Sequence, residues 1–331
     1  MRSASTTLLA SDSKRLHVRT WVPGAGRVLG EDRADAAAGA AQPRAVIQVT
    51  HGMAEHSGRY AGLARAACAR GIAVVADDHR GHGGTIEAAD ERGHTGDAPA
   101  WEQLLGDQET VRDAIAQTWP DAPVILLGHS WGSLIVRGEL ARCDTARVKG
   151  AIIMGTADDP GLRARLGILA ARTEARWRSP HHPSAVLESQ VLAPYNRPFA
   201  PVRTELDWLS RDESEVNAYL ADPLCGFTCS AGFYRDLLHA GVAVSSARSF
   251  ASIPKDLPVL VVSGSEDPVG GPGKGVVRVA TRMRRAGVRD VTLRLYPGAR
   301  HELLHETNRD EVVADLLDWV ELHLPEPAGS L

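Results

Sequence analysis

A single serine lies between two glycines in the segment Gly128-His129-Ser130-Trp131-Gly132. The apolar run PVILL precedes this segment and a helix-like stretch follows it, which is the strand, turn and helix context of a nucleophile elbow. In an elbow, small residues two positions before and after the serine let the chain turn sharply and leave the hydroxyl exposed. An ordinary glycine-rich turn is the alternative. The flanking strand and helix favour a reactive Ser130, with Gly128, His129 and Gly132 shaping the elbow.

A serine hydroxyl becomes a strong nucleophile only when a base removes its proton and a third group orients that base. In α/β folds that carry their serine at a nucleophile elbow, an acid and then a histidine follow the serine along the chain. Two later strand-like runs end in suitable residues, since VLVVSGSEDP carries Asp267 and LRLYPGARH carries His301. The carboxyl ends of parallel strands bring such residues to one edge of a sheet. We therefore predict Ser130, Asp267 and His301 as the catalytic residues, with Glu266 as the alternative acid.

The negative oxygen that forms during attack on a carbonyl needs N–H donors that are already in place. We expect one donor to be the backbone amide of Trp131, which follows the serine. The other donor is expected from the loop after the strand AVIQVT, at the backbone amide of Met53. His51, Gly52 and Glu55 are expected to shape this loop, the two polar side chains through hydrogen bonds.

Short runs of Val, Ile and Leu alternate along the chain with longer segments of helical character. The strand-like runs are RAVIQVTHG, GIAVVADDHRGHG, APVILLGHS, VKGAIIMGT, LPVLVVSGSEDP and VTLRLYPGARH. Helices are expected near residues 58–70, 101–118, 131–142, 275–287 and 309–323. Nearly continuous apolar strands need cover on both faces. The pattern therefore predicts an α/β fold with a mostly parallel central sheet and helices on both faces.

The alternation stops between about residues 157 and 252, where no strand-like run occurs. The segments there are polar, interrupted by proline and spaced like short amphipathic helices. We therefore expect a core of residues 1–156 and 253–331, with a helical lid of residues 157–252 inserted between two core strands. The Gly- and Ala-rich residues 25–44 are expected to form a surface excursion between early strands.

The composition favours an ordinary globular protein. The chain has 331 residues, 44% of them hydrophobic, and its formal net charge of -4 gives no support for a nucleic-acid partner. The first residues lack the apolar run of a signal peptide, and no stretch approaches the roughly 20 apolar residues of a membrane span. Four scattered cysteines without a CxxC pair are expected to be reduced thiols. These features predict a cytoplasmic protein, and no cofactor is expected.

Five segments, in this order, resemble one family: HGMAEHSGRY, DDHRGHG, GHSWGS, SGSEDPVG and YPGARHELLHE. They are similar to the monoacylglycerol lipase and lysophospholipase branch of the α/β-hydrolase superfamily, a group also described as serine aminopeptidase-like hydrolases. The resemblance covers most of the chain, and it is weakest in the Gly- and Ala-rich segment and in the lid. It implies a serine hydrolase with Ser130, Asp267 and His301 as the triad, Met53 and Trp131 as oxyanion donors, and a lid that forms the acyl pocket.

The segment His301-Glu302-Leu303-Leu304-His305 also reads H-E-x-x-H, the signature of a zinc-protease helix. In such a helix two histidines one turn apart bind zinc and the glutamate acts as the base. Here the first histidine follows a strand and a Pro-Gly turn, and no third histidine occurs at the metzincin spacing. A zinc metallopeptidase is therefore only an alternative, and no metal is expected at the site.

Several other histidines also suggest a metal site at first sight. His79, His82 and His94 lie close together in the sequence, but DDHRGHG follows a strand and is expected to be a structured loop beside the active site. His181 and His182 lie in the lid and are expected to face solvent. No metal ligand is predicted among these five residues.

Together these features predict a serine hydrolase that cleaves carboxylic esters through an acyl-enzyme, with monoacylglycerols or lysophospholipid-like monoesters as substrates. A triad and an oxyanion hole also serve amides and thioesters, so a peptidase or a thioesterase on the same fold is an alternative. A non-catalytic binding protein is a further alternative, although no catalytic element is missing from the sequence. The expected partners are small ester or lipid molecules, with transient membrane or micelle contact through the lid.

Overall fold

The computed structural model describes residues 1–31, 42–142, 146–159 and 161–325. An eight-stranded sheet forms its centre. The strands are β1 (Arg2–Leu9), β2 (Arg15–Val22), β3 (Ala45–Thr50), β4 (Ile72–Asp77), β5 (Val124–His129), β6 (Val148–Met154), β7 (Val259–Gly264) and β8 (Val291–Tyr296). Their order in the sheet is β1-β2-β4-β3-β5-β6-β7-β8. β2 pairs antiparallel with both β1 and β4, and all the other neighbouring strands are parallel.

Ten α-helices lie among the described residues. They are α1 (Ala61–Ala69), α2 (Trp101–Thr118), α3 (Trp131–Glu139), α4 (Gly161–Trp177), α5 (Ala185–Leu192), α6 (Glu213–Ala221), α7 (Ala231–Val244), α8 (Ala247–Ser252), α9 (Lys274–Arg285) and α10 (Arg309–Leu322). The five helices predicted outside the insertion are all present. Their ends differ from the predicted ones by up to three residues, because a short 3-10 turn at Ser57–Tyr60 precedes α1 and α3 ends at Glu139.

The sheet is covered on both faces, as the apolar strands require. Every residue of β3, β4, β5 and β7 is buried. On one face α2, α3 and α9 contribute Val111, Val136 and Val279 to a single hydrophobic cluster. On the other face α1 and α10 contribute Leu63 and Leu316. The predicted mostly parallel sheet between two helical layers is therefore confirmed.

Helices α4 to α8 all lie between β6 and β7, in the stretch where no strand was predicted. These five helices and their connections, residues 157–252, are called the helical insertion below. The insertion packs on the core through a hydrophobic cluster that joins Phe233 and Tyr234 of α7 to Trp101 and Trp131. It therefore lies against α3, whose first residue follows Ser130.

The predicted surface excursion of residues 25–44 is wrong at its beginning. Val28 and Leu29 are buried and belong to the cluster beneath one face of the sheet. Val28 and Leu29 are the only Val, Ile, Leu, Met or aromatic residues in this stretch, so they are its only large apolar side chains for covering that part of the core. Residues 32–41 lie outside the described residues. Among those described, none of the helices combines the length and the hydropathy that a membrane span requires.

Candidate active site

Ser130 lies at the sharp turn between β5, which ends at His129, and α3, which begins at Trp131. Its backbone has φ 52° and ψ −116°, a conformation that residues other than glycine rarely adopt. The Ser130 amide donates to the carbonyl of Met154 in β6, with an N–O distance of 2.9 Å. The strained turn is thus anchored to the neighbouring strand by this hydrogen bond.

The two glycines of the elbow are required by close packing of the backbone. A Cβ atom at Gly132 would lie 2.0 Å from the carbonyl oxygen of Thr50 and 2.5 Å from that of His51. A Cβ atom at Gly128 would lie 2.5 Å from the carbonyl oxygen of Gly132. Because the colliding atoms belong to the backbone, no side-chain rotation can relieve them. The glycines let α3 approach the end of β3, and this approach sets the position of Ser130.

His301 and Asp267 meet Ser130 although they follow different strands. The Nε2 atom of His301 lies 2.8 Å from the Ser130 hydroxyl oxygen, and its Nδ1 atom lies 3.0 Å from each carboxylate oxygen of Asp267. Asp267 follows β7 and His301 follows β8, and both side chains are buried. The structure therefore brings together the serine, the histidine and the acid that the sequence proposed. Glu266, the alternative acid, is exposed to solvent.

The surroundings of Asp267 favour its charged form. Burial alone would raise the pKa of this carboxyl, but the charge and the hydrogen bond of His301 hold it below its usual range. The hydroxyl of Ser263 and the amide of Val269 also donate to it, at 2.8 and 3.0 Å. A carboxylate fixed by three donors orients the imidazole, so that the Nδ1 proton points to Asp267 and Nε2 can accept a proton from Ser130.

The loop after β3 carries the expected oxyanion donor and lies next to the serine. A Cβ atom at Gly52 would lie 3.4 Å from the Cβ atom of Ser130, so this loop passes very close to the elbow. Met53 and Ser130 line the same two cavities. Within the described part of the chain, neither the Met53 amide nor the Trp131 amide donates to a protein acceptor. Both amides are therefore available to an oxygen atom bound beside Ser130.

Buried histidines support this loop from below. The ring of His51 stacks on the ring of His79 with a centroid distance of 3.9 Å, and its Nε2 atom accepts from the His79 amide at 3.0 Å. The Nδ1 atom of His79 lies 3.0 Å from the carboxylate of Asp77. The Nε2 atom of His82 accepts from the amide of Ala54 at 3.1 Å. His79 and His82 thus lie in a structured loop beside the site, and His51 shapes the loop of Met53.

Glu55 connects the loop of Met53 to the elbow. One of its oxygens accepts from the Gly52 amide at 2.6 Å and from the Tyr60 hydroxyl at 3.1 Å, and it lies 3.2 Å from Nδ1 of His129. The Nε2 atom of His129 lies 3.3 Å from the carbonyl oxygen of His301. Burial opposes a charge on His129, but the hydrogen bond and charge of Glu55 outweigh it and raise the pKa of this histidine.

Arg59, which was not among the predicted site residues, extends this network to Glu302, the residue after His301. Its guanidinium donates to Glu55 at 2.7 Å and to both oxygens of Glu302 at 2.6 and 2.7 Å. Arg59 lies in the quoted segment EHSGRY and Glu302 follows His301, but nothing in the sequence indicates that they pair across 243 positions. The buried ion triad of Glu55, Arg59 and Glu302 links the loop of Met53 to the segment of His301.

Two further residues beside the site were not predicted. Gly155 follows β6 with φ 59°, and a Cβ atom there would lie 3.1 Å from Cε1 of His301. Trp208 of the helical insertion lies with its ring centroid 5.1 Å from that of His301. Both contacts join residues that are distant in sequence. The glycine before the insertion leaves room for the imidazole, and the tryptophan covers it.

Two cavities meet at Ser130. The larger has a volume of about 660 Å³, and polar residues of the insertion such as Glu188, Asn196 and Thr228 line part of it. The smaller has a volume of about 140 Å³, and apolar residues line most of it. Those residues include Leu134, Val191, Leu192, Leu237, Leu238 and Val269. The hydroxyl of Ser130 can therefore be reached from an apolar side and from a more polar side.

The geometry disfavours the zinc-protease alternative. His301 and His305 do not lie on one α-helix, because a short 3-10 turn, Leu303–His305, follows His301. Both ring nitrogens of His301 face Asp267 and Ser130. Nδ1 of His305 lies 2.8 Å from a carboxylate oxygen of Glu215 in α6, on another side of the segment. The two histidines thus have separate partners and share no ligand position.

The sequence pattern of the family described as "Serine aminopeptidase, S33" matches residues 41–308. The chain belongs to this family. A monoacylglycerol lipase of Mycolicibacterium smegmatis is 33% identical over 287 residues, which cover 85% of this chain and 90% of that protein. Human monoglyceride lipase is 30% identical over 311 residues, covering 90% and 84% of the two chains.

The likeness extends to solved structures. A lipase solved in an open form is 28% identical and has a TM-score of 0.82, and the match covers 98% of this chain and all of that one. The α/β-hydrolase fold and the monoacylglycerol lipase branch, which the motifs indicated, are therefore confirmed. The family name and the names of the relatives point to different substrates, amides in one case and glycerol esters in the other.

Proposed function

We propose that this chain is a serine ester hydrolase that works through an acyl-enzyme. Ser130 is the nucleophile, His301 is the general base and then the general acid, and Asp267 orients the imidazole. The backbone amides of Met53 and Trp131 form the oxyanion hole. The observation that carries this proposal is the continuous hydrogen-bonded line from Asp267 through His301 to the Ser130 hydroxyl, with distances of 3.0 and 2.8 Å.

The reaction follows from this arrangement in two halves. Ser130 Oγ attacks the acyl carbonyl while its proton passes to Nε2 of His301, and the carbonyl oxygen becomes an oxyanion held by the two amides. The intermediate collapses when His301 returns the proton to the departing alcohol. Water then attacks the acyl-serine, with His301 removing its proton. The second collapse releases the carboxylic acid and restores the Ser130 hydroxyl.

Small lipid monoesters, with monoacylglycerols first, are the proposed substrates. The relatives named as monoacylglycerol lipases match along most of their length, which supports this substrate class. We assign the acyl chain to the small apolar cavity, because the transfer of an alkyl chain from water to an apolar cavity lowers the free energy. The alcohol part is assigned to the larger cavity, where Glu188 and Asn196 can accept and donate hydrogen bonds.

The helical insertion is proposed to act as a lid, and the chain to divide into a core of residues 1–156 and 253–331 and a lid of residues 157–252. Both cavities at Ser130 are lined by residues of the insertion, including Leu192 and Trp208. The catalytic side chains come from the core. This division supports a reading in which the core performs the chemistry and the insertion selects the substrate.

Hydrolysis rates across one substrate panel test the proposed function. The panel contains monoacylglycerols and lysophospholipids of graded chain length, short aryl esters and aminoacyl anilides. We expect turnover of the lipid monoesters by the wild type and a loss of about 10³-fold or more in kcat for Ser130→Ala. Ser252→Ala, which changes an exposed serine of α8 that lines neither cavity, is the matched control and should stay within about twofold.

Each other outcome of the panel would indicate a different function, nucleophile or substrate. Activity confined to the anilides would replace the esterase by a peptidase with the same triad. Activity that survives Ser130→Ala would refute the assigned nucleophile. No turnover of any substrate by the folded wild type would favour a binding protein, and turnover of short aryl esters alone would keep the mechanism and remove the lipid substrates.

The insertion is also proposed to touch lipid surfaces transiently. Leu162, Leu166 and Leu169 on α4 are 71%, 61% and 63% exposed, and their spacing places them on one side of the helix. Trp177 at the end of α4 is 82% exposed. An exposed apolar row of this kind is a feature of helices that lie in a membrane interface. Substrate dissolved in a membrane would then reach Ser130 without crossing water.

Vesicle sedimentation tests this contact. We expect the wild type to sediment with vesicles that contain monoacylglycerol, and Leu166→Glu to reduce the bound fraction several-fold. Leu322→Glu, at a leucine on α10 that is even more exposed, at 78%, is the matched control and should bind like the wild type. Equal binding of both variants would remove the proposed contact through α4.

A cytoplasmic location remains a proposal. The three cysteines within the described residues, Cys68, Cys225 and Cys229, are buried free thiols, which suits a reducing compartment. Cys143 lies outside the described residues. Fractionation of cells that express the full chain would test the location, and recovery of the protein outside the cytoplasm would contradict it.

A further inference from the structure

A second group of convergent polar side chains lies where the helical insertion meets the core. His94 and Asp97 belong to the loop that precedes α2, and His181 belongs to the turn between α4 and α5. The ring of His181 stacks on that of His94 with a centroid distance of 3.8 Å. The sequence predicted that His181 faces solvent and that neither histidine is a metal ligand, but the fold places these two histidines against each other.

Each of the three side chains brings one ligand atom into the same small region. Nε2 of His181 lies 2.8 Å from Oδ1 of Asp97, and Nε2 of His94 lies 3.3 Å from the same oxygen. The three ligand atoms all lie within 4.8 Å of one another. Nitrogen and oxygen ligands about 2.0–2.2 Å from a tetrahedral ion are roughly 3.3 Å apart. The observed separations therefore fit three ligands of one small cation.

The hydrogen bonds of His181 leave its Nε2 lone pair directed at the carboxylate. Its Nδ1 atom lies 2.9 Å from the carbonyl oxygen of Asp90, and a carbonyl can only accept, so Nδ1 carries the proton. In the neutral ring Nε2 is then an acceptor that faces another acceptor, Asp97, at 2.8 Å. Such a pair requires a proton or a metal ion between the two atoms. A histidine held through Nδ1 by a carbonyl is also the usual arrangement of a metal ligand.

His94 can present its Nε2 lone pair in the same way. Nδ1 of His94 lies 3.0 Å from the hydroxyl oxygen of Ser230, which can accept its proton. Nε2 is shielded from solvent and has no hydrogen bond of acceptable angle to any described residue. Its contact with Asp97 at 3.3 Å is therefore close in distance but poorly directed. A buried nitrogen without a partner is costly unless a ligand satisfies it.

The surrounding backbone fixes these side chains before any ion binds. A Cβ atom at Gly232 would lie 3.0 Å from the His94 ring, so glycine is needed for the ring to fit under α7. Arg235 donates to the carbonyls of Gly96, Asp97 and Ala98 and so holds the loop. The charge of Arg235 is balanced by Asp236, whose carboxylate lies 2.9 Å from the guanidinium. The cluster is thus preorganised, and only Asp97 is largely exposed.

A second cluster of possible metal ligands differs from the first in the position of its protons. His56, Asp222 and Cys225 also bring three ligand atoms together. In that cluster Nδ1 of His56 accepts from the Gly58 amide, so Nε2 carries the proton and donates it to Asp222 at 3.0 Å. Burial also raises the pKa of the Cys225 thiol, which keeps it neutral. Protons already satisfy this group, and it serves below as a control.

We propose that His94, Asp97 and His181 form a binding site for a divalent transition-metal ion, with zinc as the best fit to two imidazoles and one carboxylate. Water completes the coordination on the exposed side of Asp97. The ion joins the turn before α5 to the core loop before α2. Because α5 lines the cavity of Ser130, the ion fixes one wall of that cavity, and it takes no part in the hydrolysis.

Titration of the full chain, freed of any affinity tag and treated with a chelator, tests the site at pH 7.5. Calorimetry with zinc alone should give one ion per chain, and cobalt should give the visible absorption bands of a bound ion. His181→Ala and Asp97→Asn should each weaken zinc binding by at least about tenfold. Both side chains are partly or largely exposed, so these variants are expected to fold, which circular dichroism will check.

The matched controls are His182→Ala, at the neighbouring histidine of the same turn, and His56→Ala in the second cluster, and both should bind zinc like the wild type. Zinc should also raise Tm of the wild type with a concentration dependence that His181→Ala abolishes. The proposal is overturned if the wild type binds no stoichiometric zinc, which would mean that a proton alone bridges His181 and Asp97. It is equally overturned if binding survives both site variants or is lost in either control. The measurement does not depend on ester hydrolysis, so its failure leaves the proposed function intact.

Discussion

Arg59→Met removes the cation from the buried ion triad that links the loop of Met53 to the segment of His301. In the wild type the Arg59 guanidinium makes three charge-assisted hydrogen bonds, one to Glu55 and two to Glu302. The three side chains are only 9%, 3% and 5% exposed. Methionine fills most of the same space without a charge. The substitution therefore tests the electrostatic part of the contact with little change in packing.

The expected cost follows from what each carboxylate retains. Glu55 keeps the Gly52 amide, the Tyr60 hydroxyl and His129 as partners. Within the described residues, Arg59 supplies the only hydrogen bonds to the side chain of Glu302. Removing one partner of a buried ion pair costs about 3–5 kcal/mol, because the other charge is left without compensation. We expect the free energy of unfolding of Arg59→Met to fall by that amount at pH 7, with most of the cost arising at Glu302.

The loss should depend on pH in a predictable direction. Burial alone would raise the pKa of Glu302, but the charge and hydrogen bonds of Arg59 hold it below its usual range. In the wild type this pairing stabilises the fold above the unfolded pKa of about 4.3 and is lost as the pH falls through the lower folded pKa. Without Arg59 the folded pKa rises above about 4.3, and stability is lost as the pH rises through it. The difference between wild type and variant should therefore be smaller at pH 5 than at pH 8.

Urea unfolding at pH 5 and pH 8 measures this difference for four proteins. Arg65→Met, at an exposed arginine of α1, the helix that follows the turn of Arg59, is the control and should change stability by less than about 0.5 kcal/mol. Adding Glu302→Leu to Arg59→Met removes the orphaned carboxylate and should recover about 2 kcal/mol. A loss below about 1 kcal/mol in Arg59→Met, or a loss that grows as the pH falls, would refute the reasoning.

Three further substitutions test the elbow, the base and the acyl cavity. Gly132→Ala places a Cβ atom 2.0 Å from the Thr50 carbonyl and should lower the free energy of unfolding by about 3 kcal/mol, measured in urea, with loss of activity. Gly155→Ala presses a Cβ atom against the His301 ring at 3.1 Å and adds strain at φ 59°, so kcat should fall more than KM changes in steady-state hydrolysis. Leu237→Trp fills the apolar cavity and should raise KM for long-chain monoacylglycerols while short aryl esters are still cleaved. Unchanged behaviour of any one variant would contradict its assignment.

The chain offers matched glycines for the first two substitutions. Gly62 is the second residue of α1, as Gly132 is of α3, and a Cβ atom there meets no atom within 4 Å. Gly62→Ala should therefore be neutral or stabilising. Gly161 has φ 63° and open space around it, so Gly161→Ala isolates the cost of the backbone conformation from that of the collision in Gly155→Ala.

Local sequence was enough to predict the six strands β3 to β8, the helices among them, and the serine, acid and histidine that the fold brings together, whereas β1 and β2 were not predicted. The reason is physical. In a parallel sheet the position just after a strand is also a position in space, so a residue type at the end of an apolar run can be located without knowing the contacts. Asp267 after β7 and His301 after β8 are two such residues. The same rule fails for Val28 and Leu29, whose burial depends on the shape of the core beneath them.

The contacts that hold these residues in place could not be predicted in this way. Arg59 pairs with Glu302 across 243 positions. Trp208 contacts His301 from the helical insertion, whose position relative to the sheet cannot be read from local sequence. A charged residue in a sequence is usually solvated, and only the fold shows that Arg59 and Glu302 are buried together. Gly155 is a similar case. Glycines are common in this chain, and only the contact with the His301 imidazole shows that a side chain at this position would crowd the ring.

The ion triad and the cluster around Asp97 act on different parts of one reaction. The ion triad lies between the loop of Met53 and the segment of His301, so a change in the ion triad must alter both the amide of Met53 and the position of His301. The cluster holds the turn before α5, so a change in it must alter the wall of the substrate cavity and leave the line from Asp267 to Ser130 intact. Substitutions in the triad should therefore lower kcat for every ester alike. Substitutions at His181 should change the relative rates for different substrates, and this contrast separates the machinery of the reaction from the selection of the substrate.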